Sequence, residues 1–181
     1  MFFKKYKKIH YEMASRLIND TMNFSDVFYE RTLNYIPEIK KITNDDSEKV
    51  EKLKKILVIA GVGISYSVFS VVVRDDQKEI NSLAGALEQV AKDNGVPEVF
   101  ETGPNYFDTY QTIHNNSQDE NYARMYGETV VCGFYDWDID SSDFNNLKQD
   151  SGIIMAIGSS LRTKYLFYWL CEPKYYSKFI D

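Results

Sequence analysis

Histidine and cysteine, the residues that most often carry chemistry, are among the scarcest here: this chain of 181 residues has two of each. Cys132 and Cys171 belong to no Cys-x-x-Cys pair, so neither a disulfide framework nor a cysteine zinc site is expected, and a reducing compartment fits. Two histidines cannot build a histidine-rich metal centre. His10 falls on the apolar face of the first expected helix, where a packed histidine is the ordinary reading, and His114 sits in a polar stretch with no recognisable catalytic or ligand partner. The chain also lacks a Gly-x-Ser-x-Gly elbow and a lysine-bearing phosphate loop. Gly61 and Gly63 begin like a dinucleotide turn, but Tyr66 stands where the third glycine belongs. No cofactor is expected from these patterns. A secretory leader is not expected either, because Met1-Phe2-Phe3-Lys4-Lys5 places charge before an apolar run develops.

Positive charge is in short supply and unevenly spread. The net charge is −6 with a pI near 5.0, which argues against a nucleic-acid binder that works by neutralising phosphates. Before Ile56 there are 12 lysines and arginines against 9 acids, and after Val73 there are 9 against 18. A mildly basic arm, residues 1–55, is thereby set apart from an acidic body, residues 74–181.

Between them lies the most informative feature, the uncharged segment from Ile56 to Val73, bounded by Lys54-Lys55 and Arg74-Asp75-Asp76. As a helix, about 18 residues span roughly 27 Å, close to the hydrocarbon thickness of a thin bilayer. Gly61 with Ser65 and Gly63 with Ser67 are small residues at four-residue spacing, the pattern that lets membrane helices pack closely. The lysines on the first side place the arm on the cytoplasmic or matrix side of the bilayer. Two soluble readings compete with this one. A buried strand pair turning at Gly61-Val62-Gly63 would suit the β-branched residues, and a fully buried central helix would suit the length.

Elsewhere the spacing predicts helices. Tyr6, Ile9, His10, Met13 and Leu17 share one face. Asn23 or Ser25 is then expected to cap a second helix carrying Phe28, Thr32, Tyr35 and Ile39, ended by Pro37. Thr43-Asn44-Asp45-Asp46-Ser47 marks the start of a third, with Glu48 completing a cap. Ile80, Leu83, Ala84, Leu87, Val90 and Ala91 form an amphipathic stripe stopped by Asn94-Gly95 and Pro97. Val96 to Asn121 reads as a connection with a short helix around Tyr106 to Ile113, and Thr129 to Asp140 as one or two strands. Gly152 to Leu170 ends in the aromatic run Tyr165 to Leu170, which belongs either to a core or to an interfacial belt.

Two further groups are candidates for binding. Asp136, Asp138 and Asp140 match the opening of a calcium loop, but Ser141 and Leu147 replace the glycine and glutamate that complete it, so a solvated acidic face is the better expectation. Lys4, Lys5, Lys7 and Lys8 interleave with Phe2, Phe3 and Tyr6, a composition suited to anionic lipid headgroups or to RNA and so a candidate lipid or partner contact, beside the plainer reading of a solvated helix end.

The expected fold is therefore mainly α, with α+β as the alternative: a helical arm, one long apolar helix, and a small acidic body with helices and one or two short strands. The expected role is that of a non-catalytic accessory or assembly subunit, anchored by a single membrane helix and contacting other subunits and membrane lipid. A soluble α+β binding protein, such as a viral or phage assembly component, an inhibitor or an immunity protein, is the alternative and would be cytoplasmic or part of a virion. A metal-dependent carboxylate hydrolase built on Asp136, Asp138, Asp140 and Asp143 is the third reading.

Overall fold

The computed structural model describes residues 8–35, 43–44, 46–74, 76–101, 103–116, 121–136, 141–147 and 151–165. Among these, the regular elements are all helices: α1 (Lys8–Tyr35), α2 (Ser47–Val72), α3 (Gln77–Asp93), α4 (Glu98–Glu101), α5 (Gly103–Asn116), α6 (Tyr122–Tyr135), α7 (Ser142–Leu147) and α8 (Ser151–Tyr165). The mainly helical expectation is met.

α1 is one continuous helix where two were expected. Its inward face runs His10, Met13, Ala14, Leu17, Ile18, Thr21, Ser25 and Phe28, a single stripe at three- and four-residue spacing. Thr21 and Ser25 lie within that stripe because each hydroxyl donates to a carbonyl one turn back, Ile18 O and Met22 O, both at 2.8 Å. Ser25 is thus an interior residue rather than a cap, and Pro37 lies outside the described residues.

α2 starts where its cap dictates: Asp46 accepts from the Glu48 N–H at 2.9 Å. It ends at a turn in which Arg74 takes a left-handed conformation (φ 53°) and donates its N–H to Val71 O. Asp76 then caps α3 by accepting from the Lys78 and Glu79 N–H groups. α3 stops as expected, with Gly95 at φ 71° and the Val96 N–H on Ala91 O. The strand pair proposed for residues 56–73 is corrected, because this whole stretch up to Val72 is α2. The strand expected from Thr129 is corrected as well. Residues Thr129 to Tyr135 belong to α6, where burial of Val130 and Val131 outweighs their β preference and Thr129 Oγ1 donates to Met125 O at 2.7 Å. Residues 137–140 of that expectation lie outside the described residues.

α2 runs through the middle of the bundle and packs against α1, α3, α4, α5, α6 and α8. Ten consecutive residues, Ile56 to Ser65, are buried. Successive helical residues point about 100° apart, so this run is covered on every side. The core it anchors joins side chains from Met13 to Tyr165, drawing on the arm, the apolar segment and the body alike. The closest crossing is that of α6 with α8. A Cβ on Gly127 would lie 1.9 Å from Ile154 O, and one on Gly158 would lie 1.6 Å from Ala123 O, so the two backbones touch and only glycine fits.

Candidate functional site

A cleft of about 190 Å³ lies between α1, the first half of α2, and the start of α4. Its floor is apolar, made by Met22, Val58, Val96 and Val99. Its rim is charged. Lys54 Nζ lies 2.8 Å from Asp26 Oδ1 and 3.7 Å from Glu51 Oε1, while Lys55 Nζ lies 3.0 Å from Glu98 Oε1. The placement follows from the chain: the charged start of α2 changes to apolar residues at Ile56, so lysines stand at the rim and Val58 lines the floor one turn further on. The hydrogen bond to Asp26 holds the Lys54 ammonium above its ordinary pKa against the opposing effect of burial. Burial pushes the Glu98 carboxyl up, but a hydrogen bond from its own backbone N–H and the Lys55 ammonium outweigh it, and the net shift is downward. Ser25 also borders the cleft, with its hydroxyl bonded within α1.

Both rim lysines are matched to carboxylates, and the described lining holds no histidine or cysteine to serve as base or nucleophile. The volume falls below the roughly 300–1,000 Å³ of ordinary small-molecule pockets and suits a single inserted side chain.

The residues singled out from sequence are scattered. Gly61 is buried where α1 and α8 meet α2, and a Cβ there would come within 2.8 Å of the Tyr165 ring and 2.9 Å of Thr21. Gly63 and Ser65 are buried in the same helix, and Ser67, half-buried, donates to Gly63 O at 3.1 Å. These small residues therefore pack inside the bundle. Asp136 ends α6 in a left-handed conformation and pairs with Lys52 at 2.5 Å, while Asp138 and Asp140 lie outside the described residues. Among the described residues no three potential ligands converge on a metal position. Lys8 is 92% exposed and lies 3.7 Å from Glu12, and Lys4, Lys5 and Lys7 lie outside the described residues.

Both histidines have structural neighbours that their sequence contexts concealed. Buried His10 donates through Nε2 to Glu79 Oε2 at 2.8 Å, tying α1 to the first turn of α3. His114 stands beside Tyr110 and Tyr122, and Tyr110 stacks on Tyr126 with ring centroids 5.2 Å apart. Burial raises the pKa of both Tyr110 and Tyr126. Cys132 is buried, and Cys171 lies outside the described residues. The cleft itself was not foreseen, since its rim joins Asp26, Lys54 and Glu98 from three separate elements. No protein-family model, curated protein or solved structure matches the chain.

Proposed function

We propose that the protein is a non-catalytic subunit that acts through protein–protein contacts, with the cleft at the start of α2 as its docking point. The observation that carries this reading is the pairing of an apolar floor with a rim of matched charges, Asp26, Glu51 and Glu98 against Lys54 and Lys55. Such a rim exchanges its internal partners for those of an incoming segment and so selects by charge pattern, while the floor takes one aliphatic side chain. The test is to size the protein from its source cells at native levels. A stoichiometric companion that is lost on Lys55→Glu and recovered by compensating charge reversal on the companion supports the reading. A free 21.1 kDa monomer unaffected by the substitution contradicts it.

In this reading α2 is the core helix of a bundle that holds its shape in water. The burial of Ile56 to Ser65 on every side supports that assignment. A second reading keeps α2 as a membrane span, with the arm on the cytoplasmic or matrix side. It is supported by one fact: among the described residues, Ser47–Val72 is the helix long and apolar enough to cross a bilayer, a property that a core helix shares.

A further inference from the structure

The ion pairs around the cleft are matched in charge and unmatched in exposure. On the α1 side, Asp26 and Glu51 both approach Lys54, and the two acids are 59% and 64% exposed while the lysine is 24% exposed. Lys54 is held in that recessed position by its 2.8 Å contact with Asp26 and by the Tyr29 ring, whose centroid lies 6.0 Å from Nζ. On the α4 side the order is reversed. There Lys55 is 58% exposed and its partner Glu98 is 22% exposed. An arriving molecule therefore meets carboxylate along the α1 edge and ammonium along the α4 edge, although the counter-charge of each is close at hand. Met22, Val58, Val96 and Val99 form the apolar floor enclosed by this rim.

We infer that the occupant of the cleft is a peptide segment in which an aliphatic side chain stands between a lysine or arginine and an aspartate or glutamate. The aliphatic group enters the floor, the cation lies against Asp26 and Glu51, and the acid lies against Lys55. This inference rests on the docking role proposed above and gives that partner its chemistry. Charge complementarity selects the pattern. A segment with cations on both sides sets one of them against Lys55, and a segment with acids on both sides sets one against Asp26 and Glu51, so each wrong pattern carries a repulsive contact as well as losing an attractive one. A nucleic-acid phosphate meets the same two carboxylates and is repelled. A second copy of the cleft cannot fill this one, because a concave surface presents nothing to the floor of another. Each exposed ion pair contributes about two- to fivefold in affinity, so selectivity comes from the two edges acting together.

The experiment is selection of random seven-residue peptides, displayed on phage, against the immobilised full chain and against its Lys55→Glu and Asp26→Lys variants. The two altered side chains are well exposed, and a circular-dichroism melt checks that each variant folds. The full chain should enrich peptides with opposite charges on the two sides of a valine, leucine, isoleucine or methionine. Lys55→Glu should shift the enriched peptides to cations on both sides, and Asp26→Lys should weaken the peptide first selected about tenfold, a difference that narrows at high salt. Enrichment of no such pattern, the same pattern from Lys55→Glu, or binding of the selected peptide indifferent to both substitutions would overturn the inference. The two readings also fail separately. A native companion that is lost on Lys55→Glu but contacts the cleft through a segment of another pattern overturns the inference and leaves the docking role standing, whereas the expected pattern in a protein that is a monomer in its source cells supports the inference and contradicts that role.

Discussion

The two parts of α2 are alike in composition and differ in how completely they are covered. Ile56 to Ser65 and Tyr66 to Val72 are both uncharged and both contain small residues, yet the first is sealed by neighbouring helices and the second opens at Val71. Composition states that a segment leaves water; the neighbours decide what it enters. For the first part the answer is the inside of the bundle, reached because α6 and α8 approach closely enough to close it.

That contrast is broken most severely at the seal. Gly127→Ala places a methyl group 1.9 Å from a backbone carbonyl, so α6 and α8 must separate, and a loss of more than about 4 kcal/mol is expected in urea unfolding. Leu57→Ala, at a fully buried position of the sealed part, should cost about 2–5 kcal/mol in the same assay. Gly61→Ala should cost about 1–3 kcal/mol, because the clash is with a tyrosine ring and a threonine methyl, which give way more readily than backbone. A loss at Gly61 as large as that at Gly127 would mean that the side chains over α2 are as fixed as the backbone crossing.

The rim and the half-buried phenols set a smaller, pH-dependent effect. Lys54, Tyr66, Tyr110, Tyr126 and Tyr135 all have raised pKa values, Lys54 through its Asp26 bond and the phenols through burial. Their contribution is complete below the unfolded values, about pH 10, and is lost as pH rises beyond them. Glu98 has the opposite sign. Its depressed pKa gives stability that is present above about pH 4.5 and lost as pH falls through the folded value. Melts across pH should therefore fall off at both limbs, and Glu98→Gln should flatten the acid one. The smallest change is expected at the open part, where Val71→Ser should move stability by less than about 0.5 kcal/mol.

Much of the helical framework was legible in the sequence. The polar run Thr43 to Ser47, the Ile80 to Ala91 stripe and Gly95 act locally, through a cap, spacing and a positive φ; the stripe and the stop appear where their residues place them, and the cap falls within its run at Asp46. Local reasoning failed where tertiary burial changed what a residue means. Ser25 looked like a cap and is an interior residue bonded to its own helix, and Thr129 to Val131 looked like a strand and are helix buried against neighbours. Gly127 and Gly158 gave no local signal, because their role exists only once α6 meets α8. The same holds for the cleft, whose charges come from positions as far apart as Asp26 and Glu98.

The measurement that tests the central claim most directly is alkaline carbonate extraction of membranes from cells expressing the untagged chain. Release of the protein, followed by a single helical, cooperatively melting species in detergent-free buffer, is the predicted result for an α2 buried in its own bundle. Retention in the membrane pellet would contradict it and assign the same eighteen uncharged residues, Ile56 to Val73, to the bilayer.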